Sequence, residues 1–479
     1  MNRRTFIKTA TVGGAFLPVF AKLGAPAQSG EADVNVAVIG FGSAGQALAA
    51  GMIRMTGVRV RCVCDIWKFQ RQRAVAFFKS YGHGVEVYED YREMLDKEER
   101  NIDAVIVATP DWVHGEQACA CLARGKHVYC EAPIADTVEH AAEMCQAAKK
   151  SRGLLQIGFQ RRSDSRYRLG FEHVIPEMLG EMRLIRAQWG QGLAPFVMYK
   201  KPPKTEILER HGYPNAEQYW NWRWFRKFGK GPAAMQMPHQ VDLFSWAWGV
   251  RPVAVTAVGT DDLFTPRREV LDTLMCHYEF RMPDGTARWA SHQFVSLSNE
   301  GGTRAEFVGS RASLVLGEGF DAKNCVRRAY HSGHRGFPDD FKVSWETFVQ
   351  KGWIEPSQAE KSQKSVPGCP NEFSVYDCLN SEVWGEGSWD CPLAVKSTES
   401  RFQAHLRNFF AAIRGEEKLN CPPEVAYAAT VAVHGAIRSA ERRETVRFRP
   451  EDFLVPEGNA QDGDCPQEDR MCGAMSVGG

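Results

Sequence analysis

A glycine-rich turn set between two β-branched runs constrains this chain more than any other feature. Val34–Ile39 is followed by Gly40, Phe41, Gly42, Ser43, Ala44 and Gly45, then by the helix-forming stretch Gln46 to Met55, then by a second apolar run, Val58–Cys64, ending at Asp65. The order is strand, G-x-G-x-x-G, helix, strand, acid. Glycine at 40 permits the tight turn, at 42 it lets the backbone approach a pyrophosphate, and at 45 it lets helix and strand pack closely. The helix N-terminus offers free N–H groups and partial positive charge to phosphates. Asp65, about twenty residues past the last glycine, is placed to bond a ribose 2′-hydroxyl and to repel a 2′-phosphate, which favours NAD over NADP.

Alternation of short apolar runs with helical stretches continues to about residue 160. It predicts strands at 34–39, 58–64, 103–108, 126–130 and 154–158, with helices near 44–55, 67–80, 113–124 and 137–151. This is a parallel, doubly wound Rossmann domain over residues 33–160. Ligands on such sheets bind at the carboxyl ends of the strands. Those ends carry Thr109, Pro110 and Asp111, then Glu131, Ala132 and Pro133, then Gln160 and Arg161.

Past about residue 165 the periodicity changes to two. Alternating runs at 181–189, 252–260, 271–280, 286–296 and 303–316, with a Pro283-Asp284-Gly285 turn signal, predict a mainly antiparallel, open-faced sheet packed on one side by helices. The expected fold is therefore α/β, a Rossmann domain followed by a C-terminal α/β domain over 161–450. Residues from about 318 to 396 are rich in Gly, Pro, Ser and Cys with little periodicity, which reads as a functional insertion or an arm to a neighbouring subunit. A helical pair, 398–414 and 423–440, closes the domain, and 451–479 is a tail.

The first 29 residues read as an export signal. Asn2-Arg3-Arg4-Thr5-Phe6-Ile7-Lys8 precedes a modest apolar stretch and the cleavage-like triplet Ala25-Pro26-Ala27. The stretch is broken by Gly13, Gly14, Pro18 and Lys22, so stable membrane insertion is not expected. The pattern resembles a twin-arginine signal, a route taken by proteins that fold and load a cofactor before export, and it places the mature protein in the periplasm or otherwise outside the cytoplasm. No free NAD pool exists there, so an exported dinucleotide enzyme must hold its nicotinamide tightly.

Composition fits an ordinary globular enzyme. The 479 residues are 44% hydrophobic and 24% charged, with a net charge of +1, which argues against nucleic acid as a partner. None of the fourteen cysteines forms a C-x-x-C pair, and no zinc-like His/Cys spacing calls for a metal. Cys62/Cys64 and Cys119/Cys121 fall within apolar elements, as small hydrophobes do. Folding first in a reducing cytoplasm argues against obligatory disulfides, with Cys465 and Cys472 of the tail left open to pairing after export.

Over roughly residues 33 to 450 the chain resembles the Gfo/Idh/MocA oxidoreductases. The motifs are GFGSAG at 40–45, Tyr88-Glu89-Asp90-Tyr91, ATPDWVH at 108–114, GKHVYCEAP at 125–133, Pro238-His239-Gln240-Val241-Asp242, and His405-Leu406-Arg407-Asn408-Phe409-Phe410. The resemblance implies hydride transfer with a sugar or cyclitol and a C-terminal sheet that often mediates homo-oligomers. It implies Thr109, Pro110, His114, Glu131, Ala132 and Pro133 near the cofactor, and His239 and Asp242 lining the substrate site. One position departs: the family's Glu-Lys-Pro is here Glu131-Ala132-Pro133, and a methyl group cannot take a proton.

His239 and Asp242 are the candidate catalytic residues. They stand three apart after Pro238, on one face of a helix start. A neutral imidazole can accept a hydroxyl proton as hydride leaves the same carbon, and Asp242 can orient the ring or hold another hydroxyl. In Tyr219-Trp220-Asn221-Trp222-Arg223-Trp224, Trp222 offers a stacking face to a sugar and Asn221 and Arg223 offer hydrogen bonds; alternating aromatics equally mark a core strand. Gln160, Arg161 and Arg162 either reach a substrate or form a solvated basic turn. Asp272 and His292 lie on strands that could face the pocket. Three functions stay open: a sugar or glycoside oxidoreductase, an NAD-dependent glycosidase acting through a transient ketone, and a non-catalytic sugar-binding protein that retains NAD.

Overall fold

The computed structural model describes residues 34–193, 197–198, 201–261, 268–296, 302–319, 322–328, 345–356, 390–395 and 399–457. The expected leader, the tail beyond 457 with Cys465 and Cys472, and most of the 318–396 insertion lie outside the described residues.

The first sheet has six parallel strands: β1 (Val34–Ile39), β2 (Val58–Cys64), β3 (Glu86–Tyr88), β4 (Ala104–Val107), β5 (His127–Cys130) and β6 (Leu155–Ile157). Their order across the sheet is β3-β2-β1-β4-β5-β6. Strand order reverses between β1 and β4, so the crevice that receives a ligand opens beyond the ends of these two strands. Each of the five predicted strands is present within a residue or two. Two elements were not anticipated, β3 and the helix Tyr91–Glu98. A three-residue edge strand has no period to display, and the short helix is announced mainly by its cap, the Asp90 side chain accepting from the Arg92 N–H.

The second sheet has nine strands. They are β7 (Met182–Gly190), β8 (Pro252–Thr260), β9 (Thr273–Arg281), β10 (Ala287–Val295), β11 (Thr303–Gly309), β12 (Ala312–Glu318), β13 (Asn324–Arg328), β14 (Asp390–Pro392) and β15 (Val446–Arg447). The order is β14-β13-β12-β11-β7-β10-β9-β8-β15, antiparallel throughout except for the parallel pair β7 and β10. The single run expected at 303–316 is a hairpin, β11 and β12, turning at Ser310 and Arg311. Both strands alternate, so periodicity alone does not show the turn between them. The described parts of the 318–396 insertion extend this sheet at its edge as β13 and β14, with the short helix Trp345–Gln350 between them in sequence.

One face of the large sheet is covered by the helices Pro238–Trp248 and Pro423–Arg442. The other leaves Val258, Met275 and Trp289 exposed. The helix Arg401–Ile413 returns to the first domain, where Leu406 meets Gly51 and Phe409 and Phe410 join the core under β1. The two domains thus share apolar cores as well as a boundary.

Candidate functional site

The Gly40 turn is built as a dinucleotide cradle requires. Gly40 has φ +90°, and an added Cβ would lie 2.6 Å from the Ala108 carbonyl oxygen. A Cβ at Gly45 would lie 2.0 Å from the Gly40 oxygen, so helix and turn touch there. At Gly42 a Cβ would meet nothing within 4 Å. That open space faces the first turn of the helix Ser43–Met52, whose N-terminus has no side-chain cap. The residues therefore fit a pyrophosphate: free helix N–H groups, room above Gly42 and no competing carboxylate cap. Asp65 stands at the end of β2 with Oδ2 accepting from the Phe41 N–H and Oδ1 from the Trp67 N–H, each at 2.8 Å. Burial raises its carboxyl to about 6, opposed by those two backbone donors.

The β4 and β5 ends are tied together by His114. Its Nδ1 lies 3.0 Å from the Pro133 oxygen and its Nε2 lies 2.9 Å from the Thr109 oxygen. Burial pushes this histidine down from its usual range, so the ring is neutral and donates to one of the two carbonyls. Thr109 donates its hydroxyl to Gln117 Oε1 at 2.7 Å. Ala132 and Pro133 are joined by a cis peptide bond.

Glu131 is fixed beside them. Gln160 Nε2 donates to its two oxygens at 3.0 and 3.2 Å and also lies 3.1 Å from the Tyr129 hydroxyl oxygen. The site needs Gly158, where a Cβ would stand 2.8 Å from Glu131 Oε2. Burial pushes the Glu131 carboxyl up to about 7.

From Gln160 the chain leads directly to the second domain. Arg161 is buried; its Nε donates to Glu318 Oε1 at 2.7 Å and its Nη1 to the His239 backbone oxygen at 2.9 Å. Its Nη2 is buried with no hydrogen-bond partner among the described residues. His239 is half-buried, its ring against Trp189 at 5.8 Å and Phe159 at 5.3 Å. Burial, then the positive charges of Arg161 and Arg401, press its pKa down to about 3. This imidazole is therefore neutral at any ordinary pH.

Asp242 does not share that environment. Its two oxygens accept from Arg162 Nε and Nη2, each at 2.7 Å, with the guanidinium over the Trp246 ring. The residue expected to orient His239 is thus engaged in a buried ion pair, and Gln160, Arg161 and Arg162 form no solvated turn. Asn221 likewise serves the backbone, accepting from the Val197 N–H and donating to the Val197 and Glu217 oxygens. Trp222 and Arg223 are half-buried, the guanidinium over its neighbour's ring, in a helix and 3-10 turn where a core strand was the alternative.

Asp111, named in the sequence only as a strand-end residue and given no role there, is a further candidate. It lies at the end of β4, is buried, and its Oδ1 has no hydrogen-bond partner among the described residues. Burial and the nearby Asp136 carboxylate push it up to about 8. Its position at a strand end was the available signal. His292 is buried with both ring nitrogens unpartnered, and Asp272 is fully buried. Among the described residues there is no group of His, Cys, Asp or Glu that could hold a metal ion, and no helix long and apolar enough to cross a membrane.

Residues 34–159 match the model of an oxidoreductase family with an NAD-binding Rossmann fold, and residues 177–315 match the GFO/IDH/MocA C-terminal domain; together these cover more than half of the chain. An inositol 2-dehydrogenase/D-chiro-inositol 3-dehydrogenase of Shouchella clausii is 32% identical over 155 residues, which are 32% of this chain and 43% of that protein. An inositol 2-dehydrogenase of Saccharopolyspora erythraea is 36% identical over 140 residues, 28% of this chain and 38% of the relative. The matched stretch thus spans less than half the length of these curated relatives. Among solved structures, an aldose-aldose oxidoreductase from Caulobacter crescentus superposes with a TM-score of 0.60 at 18% identity, covering 87% of this chain and 100% of that one. A levoglucosan dehydrogenase in complex with NADH and levoglucosan gives 0.60 at 19% identity, covering 86% and 99%. These superpositions show a shared fold.

Proposed function

This chain belongs to the Gfo/Idh/MocA oxidoreductases, with an NAD-binding Rossmann domain, and from that premise we propose that it oxidises a secondary hydroxyl of a sugar, cyclitol or glycoside. The observation that carries this reading is the link from the Ala132 turn through Glu131, Gln160 and Arg161 to the backbone carbonyl of His239, the residue that carries the neutral imidazole. NAD, when bound, supplies the hydride acceptor. The chain's own residues do the rest: His239, whose neutral ring is free to accept although burial leaves it a weaker base than an ordinary imidazole, takes the hydroxyl proton as hydride departs, and the unpartnered Arg161 N–H holds a substrate oxygen. The methyl of Ala132 leaves proton transfer to His239. The first 29 residues, read as a twin-arginine leader from Arg3-Arg4 and the apolar stretch after them, support an exported, periplasmic protein, and the exposed sheet face carrying Val258, Met275 and Trp289 supports a homo-oligomer.

The reading is tested by exposing the purified protein to a panel of aldoses, cyclitols and glycosides while following the reduced-nicotinamide absorbance band. The band is expected with one polyol class and is expected to fall about 100-fold or more in rate in His239→Ala. Bound nucleotide that never changes redox state with any of them would overturn the proposal. Bond cleavage at unchanged oxidation level would redirect it to a glycosidase.

A further inference from the structure

The second domain sends one segment, residues 205–228, back across the crevice of the first. It comprises the helices Thr205–Arg210 and Ala216–Asn221 and two 3-10 turns, Trp222–Trp224 and Arg226–Phe228. Its contacts with the Rossmann domain fall at the carboxyl ends of three strands. Beyond β3, Arg210 pairs with Glu89 at 3.4 Å, and Glu89 is also held by Arg71 at 2.9 Å. Beyond β2, Trp220 packs edge-on against Trp67 with ring centroids 4.7 Å apart. Beyond β4, Trp112 donates its indole N–H to the Tyr213 hydroxyl at 3.2 Å and packs on Phe228 at 5.1 Å. Gly212 lies so close that a Cβ there would stand 3.0 Å from the Trp112 ring.

β1 lies between β2 and β4. The contacts at Trp67 and Trp112 therefore place the segment on both sides of the Gly40 turn that leaves β1. The segment is also stiff. Lys227 Nζ donates to the Gly212 oxygen at 2.9 Å and closes it on itself. At its far end Trp224 is fully buried beneath the Arg268 guanidinium, and Arg226 pairs with Glu441 at 2.8 Å. Burial raises the Tyr219 and Tyr213 phenols, and the Asp65 charge adds to the rise.

We propose that residues 205–228 are part of the dinucleotide site, a strap that holds NAD in its crevice as a resident group that does not exchange with solution. A dinucleotide held at these strand ends would leave the crevice only as the Trp67–Trp220 and Arg210–Glu89 contacts open. Dissociation is then limited by local opening of the strap. The inference rests on the NAD-binding domain and not on the identity of the substrate.

The test uses the full protein purified without added nucleotide. Nucleotide released on denaturation is counted per chain, and its exchange is followed with excess isotopically labelled NAD. The expected result is near-stoichiometric NAD that survives gel filtration and exchanges over hours. Arg210→Glu sets two carboxylates against each other at an exposed site where folding is not at stake, and it should speed exchange about tenfold or more, the equivalent of roughly 1.4 kcal/mol. Trp220→Ala should speed it further, with the unfolding midpoint recorded as a control. Exchange within seconds in the unaltered protein, or unchanged exchange in both variants, would overturn the strap. A protein that takes up no NAD at all, even when refolded with it, would instead overturn the NAD assignment.

Discussion

Arg162 grips Asp242 through two parallel bonds, Nε to Oδ2 and Nη2 to Oδ1, both 2.7 Å long. Only 2% of the Asp242 side chain and 15% of the Arg162 side chain are exposed. Such a fork fixes where the helix Pro238–Trp248 sits against the last Rossmann strand, and hence where His239 points. Asp242→Asn leaves a buried guanidinium without its counter-charge, for which about 3 kcal/mol of lost stability is the expected cost. Urea unfolding measures it. A collapse of turnover with an unchanged unfolding midpoint would return Asp242 to the chemistry and contradict its role as a positioning residue.

The pH dependence of stability follows from two sets of groups with opposite signs. Burial holds His239 and His292 at about 3 and His405 and His434 at about 4. The unfolded chain binds protons at these sites near pH 6.5 and the folded chain does not, so their stabilisation is complete above that value and is lost as pH falls toward 3. Asp65, Glu131 and Asp111 are raised to about 6, 7 and 8. They bind protons in the folded state that the unfolded chain has released, so their contribution fades as pH rises through those values. Thermal unfolding across pH should therefore show greatest stability near pH 6, declining on both sides. A midpoint that keeps rising from pH 6 to 8 would mean that the three carboxyls are not buried as described.

Much of this architecture was legible because the local signals and the global fold agree. The Gly40 turn, Asp65 and the five main Rossmann strands carry their identity in residue type and period, since one face of each must reach a core. The strap was not legible. Trp220, Trp222 and Trp224 stand at period two, yet they occupy a helix and a 3-10 turn, because the segment's partners, Trp67, Trp112 and Arg268, lie far away in sequence. The motif around Pro238 put His239 at a helix start, where the helix Pro238–Trp248 begins. It could not show that Arg162, eighty residues earlier, claims both oxygens of Asp242. Ion-pair choice is a tertiary property, and two arginines in a row give no hint of which acid each takes.

His292 offers a contrast to His239. Its ring is 1% exposed, neither nitrogen has a partner among the described residues, and its nearest aromatic neighbour is Phe244 at 6.4 Å. A buried, unsatisfied imidazole costs more than an apolar group of similar size. His292→Leu should thus leave stability unchanged or raise it by about 1 kcal/mol, measured by thermal unfolding. A loss of several kcal/mol would show that the ring satisfies a polar partner, such as an enclosed water.

Glycines 42 and 45 separate binding from folding within one turn. At Gly42 the backbone has φ −68°, open to any residue, and an added Cβ meets nothing within 4 Å. Gly42→Ala should therefore fold with an unchanged unfolding midpoint, while its methyl occupies the room left for a pyrophosphate and nucleotide content falls about tenfold or more. At Gly45 the same methyl would lie 2.0 Å from the Gly40 oxygen, a backbone atom that cannot move without breaking the turn. Gly45→Ala should lose about 2 kcal/mol or more of stability before any nucleotide is considered. Measuring bound NAD and the unfolding midpoint for both variants separates the two roles. Equal losses of stability would mean that the space above Gly42 is not the phosphate site but part of the packing between the turn and its helix.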